Sequence, residues 1–291
     1  MISTLDCVLC IQHQALDAAR LVVCDENLCE LVLRDTMQLI LDRGVGADPP
    51  TLGTEVHRIV RRVTKNPDPY YVQKRRFNAQ AVAQLDSVRG WINSSRNRFE
   101  AAARLAIAGN SIDLARGALD DSEIDAALSR ALDQPATGSF DELRRAVDSA
   151  SSILYLTDNA GEIAYDRLFI ELLISDEFRK DVTVAVRGKP ILNDALTEDA
   201  EEVGLTKLVP VISNGGDGLG TIFSLTSQEF NEKFRSSDLI IAKGLANYET
   251  LGVGSQSYEK KGAIAFLFKA KCPFIARRCG ANLGDLVALV Q

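Results

Sequence analysis

The sequence predicts an α/β fold in which an amino-terminal helical region packs on a domain built around a mainly parallel sheet. Three observations predict it. Five segments after residue 149 share one grammar, a short apolar run that breaks into polar or glycine-rich residues. Helix-like stretches separate those runs, the pattern of a parallel sheet covered on both faces. The first 148 residues carry helical spacing and no convincing strand.

Taken in order, Gln12 to Asp42 places apolar residues at helical spacing until Gly44-Val45-Gly46-Ala47-Asp48-Pro49-Pro50 breaks the pattern. Thr51 to Val63 reads as a second helix, stopped by Asn66-Pro67-Asp68-Pro69. Tyr70 to about Ile107 is long and amphipathic and ends near Gly109-Asn110. Asp120 to Leu132 and Phe140 to Val147 follow as shorter helices. The expected strands are Ile153 to Leu156, Val182 to Val186, Leu208 to Ile212, Leu239 to Ile241 and Ala263 to Phe268, with a helix from Ile163 to Ile174 after the first. Two domains are therefore expected: a helical region over 1–148 that caps the cleft, and an α/β domain over 149–291.

Composition removes several function classes. A net charge of −7 argues against a nucleic-acid surface. No apolar stretch approaches the roughly 18–20 residues of a membrane span, and no basic segment with an apolar core opens the chain, so a cytoplasmic protein is expected. Two histidines, His13 and His57, lie outside every strand-end motif. That nearly excludes His-based zinc hydrolases and Ser-His-Asp chemistry, which need a placed imidazole.

In parallel sheets ligands bind at the carboxyl ends of the strands, where this sequence concentrates carboxylates, amides, lysines and glycines. Asp158-Asn159 follows the first strand; one carboxylate and one amide oxygen can face a hard divalent cation, or cap the next helix. Gly161 lets backbone approach, and the helix start offers N–H donors to an anion. Asn193-Asp194, after Arg187-Gly188-Lys189-Pro190, has the same two readings. Together Asp158, Asn159 and Asp194 come from the ends of two neighbouring strands. Lys243 follows the fourth strand and suits a point charge for phosphate, or a snorkelling lysine. Asn247 and Glu249 lie near enough to line the same cleft. Asn214-Gly215-Gly216-Asp217-Gly218-Leu219-Gly220 reads as a flexible loop whose spacing does not fit a dinucleotide fingerprint.

These motifs resemble the damage-control metal-dependent phosphatases, also known as domain of unknown function 89. The resemblance is carried by Thr157-Asp158-Asn159-Ala160-Gly161-Glu162, Arg187-Gly188-Lys189-Pro190 with Asn193-Asp194, and Lys243-Gly244 with Asn247-Tyr248-Glu249. Asp6-Cys7-Val8-Leu9-Cys10, Asn66-Pro67-Asp68-Pro69-Tyr70 and Gly109-Asn110-Ser111-Ile112-Asp113 look like its prokaryotic Cys-x-x-Cys branch. The resemblance implies a Rossmann-like three-layer α/β/α domain. It also implies hydrolysis of phosphate monoesters of small metabolites, often sugar phosphates, with Mn²⁺, Co²⁺, Ni²⁺ or Mg²⁺. The implied metal ligands are Asp158, Asn159 and Asp194. Catalytic roles fall on Asp158, Asp194 and Lys243. Substrate or phosphate contacts fall on Asn110, Asp113, Gly161, Glu162, Asn193, Lys243, Asn247 and Glu249.

Two other functions compete: S-adenosylmethionine-dependent carboxyl methyl transfer, supported only by the glycine-rich loop, and a non-catalytic metal- or nucleotide-binding regulator. Cys7-x2-Cys10 with Cys24 or Cys29 is either a structural metal site or a set of buried thiols. Redox chemistry is disfavoured, because Cys7 and Cys10 precede any βαβ unit.

Overall fold

One sheet organises the computed structural model of the chain, which describes residues 4–44, 46–109, 129–131, 133–252 and 258–291. Its strands are β1 (Ala136–Gly138), β2 (Ser152–Leu156), β3 (Asp181–Val186), β4 (Val211–Ser213), β5 (Leu239–Lys243), β6 (Ala263–Lys269) and β7 (Leu286–Val290). They lie in the order β1-β7-β6-β5-β2-β3-β4. Every neighbouring pair is parallel except β6 and β7. The fold class is the one the sequence predicts. β1 and β7 fall outside the five expected runs. β1 is three residues long, too short to show a period, and sits in the region expected to be strand-free.

The helices are α1 (Leu5–Arg20), α2 (Glu26–Arg43), α3 (Pro49–Thr64), α4 (Tyr71–Ser94), α5 (Arg98–Ala108), α6 (Phe140–Ser149), α7 (Glu162–Ile174), α8 (Thr197–Glu202), α9 (Gln228–Ser236), α10 (Leu245–Leu251) and α11 (Pro273–Cys279). Two expected helices are each divided. Asp25 caps α2 by accepting from Asn27 N, and Asn97 caps α5 by accepting from Glu100 N. Both caps interrupt an apolar periodicity that continues across the break. The expected helix Asp120 to Leu132 lies largely outside the described residues.

Strand alternation makes three layers. Ile153 and Tyr155 of β2 face a core shared with α4, α5, α6 and α7, while Leu154 and Leu156 face Phe230, Phe234, Leu251 and Ile275 of α9, α10 and α11. Helices α1, α2 and α3 close a separate core around Ala15, Val32, Val56 and Val60. The expected boundary at residue 148 is therefore not a packing boundary. α4 and α5 belong to the sheet's own core because their apolar faces are needed to cover it, and the core divides after α3.

Candidate functional site

The chain leaves β2 for β3 and β4 on one side, then returns to place β5 on the other side of β2. The carboxyl ends of β2 and β5 thus flank the topological switch point, where open α/β sheets bind ligands. Past β2, Thr157 N and Oγ1 both donate to Ala185 O of β3 at 3.1 Å. Asn159 and Asp194 then pair in an isolated antiparallel bridge. Ala160 N donates to Asn193 O and Ala195 N to Asp158 O, each at 2.8 Å. Backbone hydrogen bonds thereby bring Asp158, Asn159, Asn193 and Asp194 together. Neither aspartate caps a helix, since Gly161 precedes α7 and Leu196 precedes α8 at the cap positions. On the β5 side, Gly244 holds φ +81°, and a Cβ there would lie 2.2 Å from Asp158 Cγ.

Side chains extend this into a buried charged cluster. Asn159 Nδ2 donates to Asp158 Oδ2 at 2.7 Å and to Glu162 Oε2 at 3.2 Å. Lys243 is 0% exposed, and its ammonium donates to Glu162 Oε1, Asp166 Oδ1 and Ala106 O, each at 2.6 Å. Tyr155 Oη donates to the same Asp166 oxygen at 2.8 Å. Arg187, at the end of β3, donates through Nε to Asp194 Oδ2 at 2.7 Å and through Nη1 to Gly220 O at 2.5 Å. Four carboxylates (Asp158, Glu162, Asp166, Asp194) against two cations (Lys243, Arg187) leave an excess of two negative charges.

The electrostatics follow. Burial, then the charges of Glu162 and Asp194, push the Asp158 carboxyl well above the usual range. Burial also raises Asp194, against the pull of Arg187, and raises Asp166 to about 6 against Lys243. Burial alone would lower the Lys243 ammonium, but Asp166 and Glu162 outweigh it and hold the group above the ordinary lysine range. No group of three or more His, Cys, Asp and Glu side chains among the described residues is arranged to hold a metal ion. The candidate set is two carboxylates and one amide.

The loop after β4, expected to be flexible, is pinned from several sides. Gly188 N and Lys189 N donate to Gly216 O at 3.0 Å, and Leu219 N donates to Thr54 Oγ1 of α3. Arg58 and Arg61 of α3 both pair with Asp217 and hold its carboxyl below the usual range. Thr221 Oγ1 donates to Asn247 Oδ1, and Asn247 Nδ2 donates to Lys243 O.

A family model described as the damage-control phosphatase ARMT1-like domain matches residues 3–287. The chain belongs to this family. An uncharacterised protein of Methanocaldococcus jannaschii is 36% identical over 98% of this chain and 94% of its own length. The damage-control phosphatase of Archaeoglobus fulgidus is 32% identical, with 98% and 97% covered. The crystal structure of a DUF89 family protein of Pyrococcus horikoshii superposes with a TM-score of 0.85 at 31% identity, covering 99% of each chain.

Within this member of the damage-control phosphatase family, the other expected site residues divide. Asn247 is buried with both amide atoms engaged, so it braces the loop against β5. Gly161 N donates to Asn78 Oδ1 of α4 at 2.7 Å and is not a free anion donor. Both Glu162 carboxylate oxygens are already engaged. Glu249 lies apart, on a cavity of about 250 Å³ with Cys7, Cys10, Lys271 and Cys272. Asn110 and Asp113 lie outside the described residues.

Arg187, Asp166 and Asn78 were not among the expected site residues. Asp166 stands four residues after Glu162 on α7, so helical spacing alone puts both carboxylates on one face toward Lys243. Asn78 carries no such signal, because its partners Gly161, Asp199 and Glu202 are remote in sequence.

Among the described residues no cysteine group is arranged to hold a metal ion, and of Cys7, Cys10, Cys24 and Cys29 only Cys29 is a buried thiol. Cys24 is exposed and Cys29 is buried in the α1–α3 core. Cys272, more than 260 residues away in sequence, reaches their cavity instead. Cys10 is exposed and Cys7 is part-exposed, so these are not buried thiols. Gln14 Nε2 donates to Cys10 Sγ at 3.3 Å.

Proposed function

We propose that this protein is a metal-dependent phosphatase that cleaves phosphate monoesters of small metabolites such as sugar phosphates. The observation that carries this reading is the Asp158–Asn159–Asp194 constellation at the switch point, with an excess of negative charge around it. A hard divalent cation, Mn²⁺, Co²⁺, Ni²⁺ or Mg²⁺, fits these oxygen donors. Carboxyls pushed toward protonation by burial and by neighbouring carboxylates are the groups a cation relieves. Asp158, Asp194 and the Asn159 amide oxygen would hold it. Bound there, the cation supplies Lewis-acid polarisation of a phosphoryl oxygen.

The protein's own residues do the positioning. Lys243 fixes Glu162 and Asp166, and Glu162 in turn fixes Asn159. Arg187 orients Asp194. Gly244 lets the β5 backbone lie against the Asp158 carboxylate. The name of the Archaeoglobus relative, a damage-control phosphatase, supports the reaction class.

The test is phosphate release from p-nitrophenyl phosphate and a sugar-phosphate panel after stripping with chelator and adding each metal singly. Activity should return with one or more of the four metals. It should fall on the order of 10³-fold in Asp158→Ala, matching the several kcal/mol a metal supplies. An equally active, metal-responsive Asp158→Ala protein would overturn the reading.

A further inference from the structure

We propose that Arg187, rather than Lys243, is the side chain that holds the phosphoryl oxygens of the substrate; this rests on the phosphatase reading above. The lysine at the end of β5 is the obvious phosphate ligand from sequence, yet it has nothing left to give. Its ammonium has three protons and three acceptors, on Glu162, Asp166 and Ala106. Turning it toward a phosphate would strand a buried carboxylate or carbonyl.

Arg187 is in the opposite condition. Its side chain is 5% exposed, and Nη2 has no hydrogen-bond partner among the described residues. Buried donors are nearly always satisfied, and leaving one bare costs about 1–3 kcal/mol, more for a charged group. The guanidinium cannot swing away to find a partner, because Asp194 Oδ2 holds Nε and Gly220 O holds Nη1. Gly220 is itself fixed by the loop that Arg58, Arg61 and Thr54 pin to α3.

Where the bare donor points follows from the planarity of the group. In a guanidinium one Nη2 N–H runs parallel to Nε–H, the fork that grips two oxygens side by side. Nε–H points at Asp194, so the Nη2 donor faces the same side, toward the Asp158–Asn159–Asp194 constellation. An anion seated there meets an always-charged donor already oriented. A tetrahedral phosphoryl group, with several anionic oxygens, matches that chemistry. The structure thereby divides the work of the two basic residues. Lys243 organises the carboxylates, and Arg187 takes the substrate's charge.

The test separates phosphate recognition from support of Asp194. Arg187→Lys keeps the charge and one bond to Asp194 but cannot present a fork. With wild type and variant both loaded with Mn²⁺, kcat/KM for p-nitrophenyl phosphate and competitive inhibition by orthovanadate are measured beside Mn²⁺ affinity. We expect kcat/KM to fall about 10²–10³-fold, the effect of removing one preorganised donor, and vanadate inhibition to weaken at least tenfold. Mn²⁺ affinity should fall less than vanadate inhibition does, since Asp194 keeps a charged partner. Unchanged vanadate inhibition, or activity that falls only in step with Mn²⁺ affinity, would overturn the proposal. Should the variant not fold, a wild-type crystal with Mn²⁺ and orthovanadate decides. A vanadate oxygen within about 3 Å of Arg187 Nη2 is expected, and vanadate held without it overturns the assignment. Wild-type protein that neither releases phosphate nor binds vanadate would sink the phosphatase reading as well, whereas an active enzyme whose vanadate avoids Arg187 would sink this inference alone.

Discussion

Glu249 lines the cavity that Cys7, Cys10 and Cys272 share, and burial, helped by the charge of Asp48, pushes its carboxyl up to about 7. The folded chain keeps a proton on Glu249 where the unfolded chain, near the ordinary value of 4.5, has released it. Stability from this group is therefore full below about 4.5, declines as pH rises toward 7, and stays low above. Glu249→Gln has no proton to lose. Thermal melts of wild type and variant at pH 4.5 and 8 should show the wild type losing roughly 2–3 kcal/mol more than the variant on going to pH 8. Equal pH dependence in both proteins would contradict this. Residue by residue, the sequence carried chemical type and position after a strand, which placed Asp158, Asn159 and Asp194. It did not carry the partner. Lys243 and Arg187 are both basic residues near strand ends, and only the surrounding acceptors distinguish a saturated ammonium from a guanidinium with a donor to spare.

The turn from β5 into α10 works as a unit. Gly244 takes φ +81°, and its missing side chain makes room for the Asp158 carboxylate from the adjacent strand. Gly244→Ala should displace that carboxylate, and a misplacement of about 1 Å at a reacting centre costs on the order of 10²-fold in rate. Gly280 provides the control, with φ +71° and nothing within 4 Å of the place a methyl group would take. Gly280→Ala should cost about 1–2 kcal/mol of stability and leave phosphate release intact. Comparable activity in the two variants would mean that the close approach at Gly244 does not matter. At this scale the runs that became β2, β3, β5 and β6 were legible because both faces are buried, which produces continuous apolar segments. The helix breaks before α2 and α5 were not, because single capping residues interrupt an otherwise unbroken period.

For the molecule as a whole, the strand order explains why the carboxylates meet. Only the reversal that sets β5 beside β2 brings Gly244 against Asp158, and only the β2–β3 pairing brings Asp194 against Asn159. A list of strands contains neither fact, so sequence spacing could nominate the residues without assembling them. The same topology draws α4 onto the sheet, where Asn78 ties Gly161 to Asp199 and Glu202 and locks the helical layer to the loop bearing the site. In the proposed function this crossing point binds one divalent cation through Asp158, Asn159 and Asp194. Electron paramagnetic resonance of free Mn²⁺, titrated against folded wild type, Asp158→Ala and Asp194→Asn, tests it without a substrate. About one Mn²⁺ should bind per wild-type chain, with affinity at least about tenfold weaker in each variant. Wild type that binds no Mn²⁺, or variants that bind it as tightly, would contradict it.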